Sequence, residues 1–212
     1  MSEYRAAALR LDPAALAAAP ASGDAGLVDA VRREAPGFLA EMAPRLPDGA
    51  VVAAAVALVE GGAVDADGAA YAFGRWLVAR ALRVGAPTPP EIGYPFVDLY
   101  AVTAAFRPTP YALVTAFLEE LSGERADRLP LGPPASFPLP GVGYAGPDRL
   151  AALAPEARAA RLVLETAAED GDAAEDWTGD VDEPEDVVQV LAWVEAAAPT
   201  GHALTVFVDG DL

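Results

Sequence analysis

The chain has 212 residues and a net charge of −18, because it carries 32 aspartates and glutamates against 14 arginines and no lysine. A chain this negative repels phosphate backbones, which argues against general nucleic-acid binding. Without cysteine it forms neither disulfides nor thiolate metal sites. Without lysine it has neither a Schiff-base amine nor the lysine of a phosphate-binding loop.

The length and the hydropathy pattern fit one soluble domain. Every apolar stretch is interrupted by charge or proline before it reaches the about 18 residues that a membrane span needs. The opening residues Met-Ser-Glu-Tyr-Arg lack the basic region and the apolar segment of a secretory signal. We therefore expect a cytoplasmic protein without membrane contact, and the sequence predicts no cofactor.

The two ends of the chain both have the composition of strands. Residues 203–208 are a short, nearly continuous β-prone run, and residues 4–11 are a weaker one because of their alanines. A strand at a chain end leaves hydrogen-bonding edges open unless another strand pairs with it. We predict that the two ends pair. The predicted fold class is α+β, a single domain over residues 1–212 whose mostly helical body packs on a small sheet containing both terminal strands.

The middle of the chain, residues 27–121, has the apolar spacing that is typical of helices. Pro36 interrupts the first long helical pattern, so two shorter helices are expected there. Residues 96–106 and 111–121 are predicted to form a helical hairpin, because prolines separate two apolar runs and Ser-Gly follows the second.

Two irregular segments follow this helical block. Residues 125–147 are rich in proline and are predicted to form a long loop. Residues 165–186 hold eleven acids and no base. Such a block repels itself and is usually solvated, so we expect a mobile acidic insert. A terminal helix and strand are predicted over residues 187–208, with Pro199 and Gly201 between them.

Three pieces of the sequence carry a family resemblance. They are the opening strand followed by Asp12-Pro-x-x-Leu16, the segment Phe137-Pro-Leu-Pro-Gly-Val-Gly-Tyr144 and the closing run Gly201-His-Ala-Leu-Thr-Val-Phe-Val208. In these pieces the chain resembles the YfbM-like bacterial proteins and their actinobacterial relatives, a group of uncharacterised domains. The helical middle matches only in general character. The resemblance implies a compact α+β fold in which the terminal strands meet and helices pack on them, and it supplies no catalytic residue.

Aromatic and arginine side chains of the helical block are candidates for lining a ligand pocket. Trp76, Arg80 and Arg83 follow the spacing i, i+4, i+7 and therefore lie on one side of a predicted helix. That side suits an anion, although ion pairs with the surplus acids are its favoured use. The tyrosines near the proline-rich breaks suit a small apolar or aromatic molecule if they line a cavity. The candidate pocket residues are Tyr71, Trp76, Arg80, Arg83, Tyr94 and Tyr100.

The acidic insert is the candidate contact for a basic partner. It contains a tryptophan, which either attaches the insert to the body or belongs to a recognition surface. The candidate partner-binding residues are Glu175, Asp176, Trp177, Asp180, Asp182 and Glu183.

Three short motifs point to no specific chemistry. Gly141-Val-Gly-Tyr-Ala-Gly146 matches the glycine pattern of dinucleotide sites, but no strand is predicted before it. Asp65-x-Asp67-Gly68 resembles the start of a calcium loop, yet the third ligand and the closing glutamate are missing. His202 is the sole histidine, so a structural hydrogen bond is favoured over catalysis or metal binding. No metal site is predicted.

These observations leave three functions open. The favoured one is a non-catalytic binding or accessory protein, of an immunity-like kind, that uses an acidic face to meet a basic partner. The alternative is a small-molecule-binding protein or enzyme with an aromatic and arginine-lined pocket. A third is the subunit of a homo-oligomer that pairs through an exposed edge of a terminal strand. The sequence does not fix the oligomeric state.

Overall fold

The computed structural model describes residues 5–41, 48–85, 92–93, 103, 106–137, 141–170 and 185–209. The elements in chain order are strand β1 (Arg5–Leu11), helices α1 (Pro13–Ala18), α2 (Ala25–Glu41), α3 (Asp48–Glu60) and α4 (Ala69–Ala81), strand β2 (Ile92–Gly93), helix α5 (Ala112–Leu121), strand β3 (Gly141–Ala145), helices α6 (Pro147–Asp170) and α7 (Glu185–Ala197), a 3-10 turn (Ala198–Thr200) and strand β4 (Ala203–Asp209).

The strands form one antiparallel sheet in the order β2-β1-β4-β3. The terminal strands β1 and β4 pair with each other from Arg5 opposite Asp209 to Leu11 opposite Ala203. The predicted pairing of the ends and the α+β class are therefore confirmed. The closing strand β4 lies between β1 and β3, so it offers no open edge, whereas β1 pairs with β2 only at Arg5 and Ala6. The homo-oligomer hypothesis, which requires an open edge of either terminal strand, stays a prediction.

Helices cover both faces of this sheet. Alternate residues of a strand point to opposite faces, and in β4 both sets are buried. Leu204, Val206 and Val208 pack with α5, α6 and α7. Ala203 and Phe207 pack on the other face, with the helices α1 to α4. This double burial explains why the closing run is apolar at nearly every position.

Helix α2 continues through Pro36, so the predicted division into two helices is wrong. A proline removes one backbone N–H and crowds the carbonyl four residues earlier, here that of Arg32. Both residues are exposed, so that carbonyl can bind water instead. Val31, Ala35 and Phe38 are buried on the opposite side of the helix and hold it on the core across the proline.

The last part of the predicted loop over residues 125–147 is strand β3, which corrects that prediction. Its glycines allow the strand to lie against α5. A Cβ atom at Gly141 would lie 1.8 Å from the carbonyl oxygen of Leu121, and one at Gly143 would lie 2.9 Å from the ring of Phe117. The glycine pattern thus begins inside a strand, but the sheet is antiparallel and is not a dinucleotide-binding βαβ unit.

The predicted acidic insert over residues 165–186 is too long at both ends. Helix α6 continues to Asp170, and α7 begins at Glu185. Leu164 is buried, and Arg161 donates a hydrogen bond of 2.6 Å to Glu165 one turn later. Such pairs stabilise a helix, so the first acids of the block are helical. Residues 171–184 lie outside the described part of the chain.

Most other predicted elements agree with the structure. The terminal helix and strand are confirmed, and Gly201 between them has a φ of 74°, which favours glycine. Helix α5 confirms the second half of the predicted hairpin, whereas residues 96–106 lie mostly outside the described residues. Among the described helices, none is long and apolar enough to cross a membrane.

Candidate functional site

The aromatic pocket candidates of helix α4 lie in the core. Trp76 stacks on Phe207 of β4, with ring centroids 4.9 Å apart and planes inclined by 2°. Phe38 of α2 meets the same indole edge-on at 5.4 Å. Tyr71 is buried as well. The indole of Trp76 therefore packs α2 and α4 against the sheet.

The arginine candidates of the same helix bind a carboxylate. Arg83 donates to both oxygens of Glu34 on α2, over 2.7 and 3.1 Å, and Arg80 donates to one of them over 3.4 Å. The hydrogen bond from Arg83 is the main cause that holds the pKa of the Glu34 carboxyl below its usual 4.5, against the opposing effect of burial. Tyr94 and Tyr100 lie outside the described residues, so the ligand pocket stays a prediction.

An ion pair that the sequence analysis missed lies deeper in α4. Arg75 is 1% exposed, and its guanidinium makes a two-pronged contact with Asp127, over 2.7 and 2.8 Å. The same group donates to the backbone carbonyls of Leu131 and Leu129, each over 3.0 Å. Because one side chain uses four hydrogen bonds on this loop, Arg75 anchors the loop that follows α5 to the helical body.

Tyr71 reinforces this attachment one turn earlier. Its hydroxyl donates to the carbonyl of Pro133 over 2.7 Å. Burial raises the pKa of the Tyr71 phenol, and the nearby charge of Arg75 opposes that rise. The hydroxyl therefore stays protonated at neutral pH and acts as a donor. In the sequence, Arg75 lies among apolar residues of a predicted helix. This position indicates a buried ion pair, because a buried arginine needs an acid as its partner.

A second buried cluster joins α5, β3 and α6. The carboxylate of Glu120 has no exposed surface, and its Oε2 accepts a hydrogen bond of 2.7 Å from Nη1 of Arg149. Nε of Arg128 lies 3.2 Å from the other oxygen, Oε1. That pair is not aligned for a hydrogen bond, because Oε1 accepts none from the described residues. One buried carboxylate thus faces two guanidinium groups.

The same cluster covers the outer edge of the sheet. Among the described residues, strand β3 pairs only with β4, and the backbone N–H and carbonyl of Tyr144 point away from that strand. Its N–H lies 3.4 Å from Oε2 of Glu120, and its carbonyl accepts a hydrogen bond from Arg149. The side chains thereby occupy backbone groups that would otherwise accept another strand. Burial raises the pKa of the Tyr144 phenol.

Most arginines are used within the chain. Among the described residues, nine of the chain's 14 arginines are in ion pairs with acids: Arg32, Arg75, Arg80, Arg83, Arg107, Arg125, Arg128, Arg149 and Arg161. By contrast, Glu60, Asp65 and Asp67 are exposed and have no ion pair with any described residue. These three described acids therefore carry unpaired negative charge at the surface.

The remaining predictions concern the partner-binding residues, His202 and metal sites. The partner-binding candidates from Glu175 to Glu183 all lie outside the described residues. His202 donates through its backbone N–H to the hydroxyl of Thr200 over 3.2 Å, while its buried Nδ1 has no partner among the described residues. The described part of the chain contains no group of three histidine or carboxylate side chains that could hold a metal ion.

Comparison of the chain with protein-family models, with curated proteins and with solved structures found no match.

Proposed function

We propose that this chain is a non-catalytic binding protein, of an accessory or immunity-like kind, whose acidic surface meets a basic partner. The internal use of the arginines is the observation that supports this proposal most directly. A guanidinium paired with a carboxylate contributes little field at a distance. The net charge of −18 therefore acts outward and attracts a cationic surface. We expect this role in the cytoplasm.

Residues 171–184 are the proposed contact. They contain six acids and no base, and Trp177 lies among them. Tryptophan is enriched among the residues that dominate the affinity of protein interfaces, and clustered acids steer a basic partner toward it. Glu60 is the last residue of α3, and Asp67 lies in the segment that follows it. Both are exposed acids without an adjacent tryptophan. They make a natural control surface.

An electrostatic contact of this kind depends on salt. Attraction between exposed charges is screened beyond about 10 Å at 0.1 M salt, so both the association rate and the affinity fall as salt is added. A contact carried by apolar packing would change much less over the same range. The salt dependence of binding thus separates the two kinds of interface.

The proposal is tested with a fluorescein-labelled peptide of nine arginines, whose binding is followed by fluorescence anisotropy across a salt series. The double variants Asp180→Asn with Asp182→Asn, and Glu60→Gln with Asp67→Asn, remove the same charge from the two surfaces. We expect the first to weaken binding several-fold and to flatten the salt dependence, and the second to have a smaller effect.

Equal weakening by the two double variants would mean that the peptide senses only net charge, and would refute residues 171–184 as the contact. Absence of salt-dependent binding by the unaltered chain would refute the acidic surface itself.

A further inference from the structure

The cluster around Glu120 carries more positive than negative charge, in a chain that is strongly acidic overall. One carboxylate faces the two guanidinium groups of Arg128 and Arg149, so the cluster has a net charge of about +1. The neighbouring Asp127 is already bound by Arg75 and adds no free charge. Both guanidinium groups lie within 4 Å of this carboxylate, Arg128 at Oε1 over 3.2 Å and Arg149 at Oε2 over 2.7 Å.

Both arginines keep donors that no described residue accepts. Arg149 engages Glu120 and the carbonyl of Tyr144 with the single atom Nη1, so its Nε and Nη2 have no partner among the described residues. Arg128 makes no aligned hydrogen bond to Glu120, and its side chain is 59% exposed. The Arg149 side chain is 17% exposed, so solvent reaches it too.

The Arg149 guanidinium is held in place before any ligand arrives. It lies over the ring of Phe117, 5.5 Å from the centroid, where cation and ring attract each other. The Phe117 ring is itself packed closely against the backbone of Gly143, because a Cβ atom on that glycine would lie only 2.9 Å from the ring. A donor that is already oriented loses less entropy on binding than a free arginine would.

We propose that Arg128 and Arg149 together bind the phosphate or carboxylate group of a small molecule. Guanidinium groups present paired N–H donors whose spacing matches the oxygens of either anion. A bound anion would neutralise the surplus charge and relieve the repulsion between the two arginines. The carboxylate of Glu120 positions Arg149 and does not itself contact the ligand. This site shares no residue with the proposed acidic contact over residues 171–184, so different variants test the two proposals.

The test is a titration of the isotope-labelled full chain, followed by backbone amide shifts in NMR spectra. Inorganic phosphate and acetate are the two probes, and sodium chloride at matched ionic strength is the reference. We expect saturable shifts at Tyr144 and Arg149. Saturation by phosphate identifies a phosphate group as the preferred ligand chemistry, and saturation by acetate identifies a carboxylate.

Two variants with the same charge change decide whether these arginines are responsible. Arg128→Gln removes half of the site, and we expect the dissociation constant to rise about tenfold. Arg158→Gln alters another exposed arginine on α6 that has no ion pair with a described residue, and we expect no change. Shifts that grow linearly with every salt, or equal weakening by both variants, would overturn the proposal.

Discussion

Two buried ion pairs of this molecule differ in how their charges are balanced. At Arg75 one guanidinium meets one carboxylate, that of Asp127, and the remaining donors are taken by backbone carbonyls. At Glu120 one carboxylate meets two guanidinium groups, and one of its oxygens accepts no hydrogen bond from the described residues. In the first, complete pair the charges balance and every guanidinium nitrogen donates a hydrogen bond, so its role is structural. The second leaves donors for an external group, so balance, and not burial alone, separates the two roles.

The largest expected effect is at the complete pair. Asp127→Asn removes the charge opposite Arg75, which is too deeply buried to be hydrated instead. We expect the free energy of unfolding, measured in urea, to fall by about 3–5 kcal/mol, because an unpaired buried charge remains. Asp67→Asn, an exposed aspartate, is the matched control and should cost less than about 0.5 kcal/mol. Similar losses in the two variants would show that Arg75 does not depend on Asp127.

A smaller effect is expected where strand β3 fixes Phe117 beneath Arg149. The added methyl group of Gly143→Ala would lie 2.9 Å from the Phe117 ring and 3.0 Å from Leu121, so both must shift. We expect a loss of about 1–3 kcal/mol in urea unfolding, the usual cost of overpacking. Gly37→Ala, in α2, meets no atom within 4 Å and should be neutral or stabilising. A neutral Gly143→Ala would mean that Phe117 is not held tightly.

Removing the charge of Glu120 should cost less than removing that of Asp127. In Glu120→Gln an amide oxygen still accepts from Arg149, and the exposed Arg128 turns toward water. We expect a loss of about 1–2 kcal/mol in urea unfolding, within the range for a weakened buried hydrogen bond. A loss as large as that of Asp127→Asn would contradict the distinction between the complete and the incomplete pair.

The smallest effect concerns Glu34, which pairs with Arg80 and Arg83 near the surface. Its folded-state pKa lies below 4.5, so the ionised carboxylate stabilises the fold above that pH, and the stabilisation is lost as pH falls through the folded pKa. Glu34→Gln should therefore reduce stability by about 1 kcal/mol at neutral pH and by less at about pH 3. The measurement is urea unfolding of both proteins at the two pH values. An unchanged difference at low pH would show that packing, and not charge, is responsible.

The sequence predicted those features that depend on local pattern. The pairing of the two ends follows from the β-prone runs at residues 4–11 and 203–208, and the helix at residues 112–121 follows from apolar spacing and its glycine stop. The predicted division of α2 was wrong because the effect of Pro36 depends on its exposure. The predicted loop was wrong at β3 because the role of the β3 glycines depends on the helix beside them.

The local sequence pattern could not predict the candidate site. Arg75 and Asp127 are 52 residues apart, and Arg149 and Glu120 are 29 apart, so only the fold brings them together. An arginine within a buried helix does indicate that a partner exists, but it does not say which of 32 acids that partner is.

The most direct test compares the two arginines in one NMR spectrum, through their side-chain Nε–H signals during a titration with inorganic phosphate. The Nε–H of Arg75 donates to Leu131, whereas that of Arg149 has no partner among the described residues. We expect the Arg149 signal to move saturably while the Arg75 signal stays in place. Equal movement of both signals, or none at Arg149, would contradict the claim that charge balance distinguishes the two pairs.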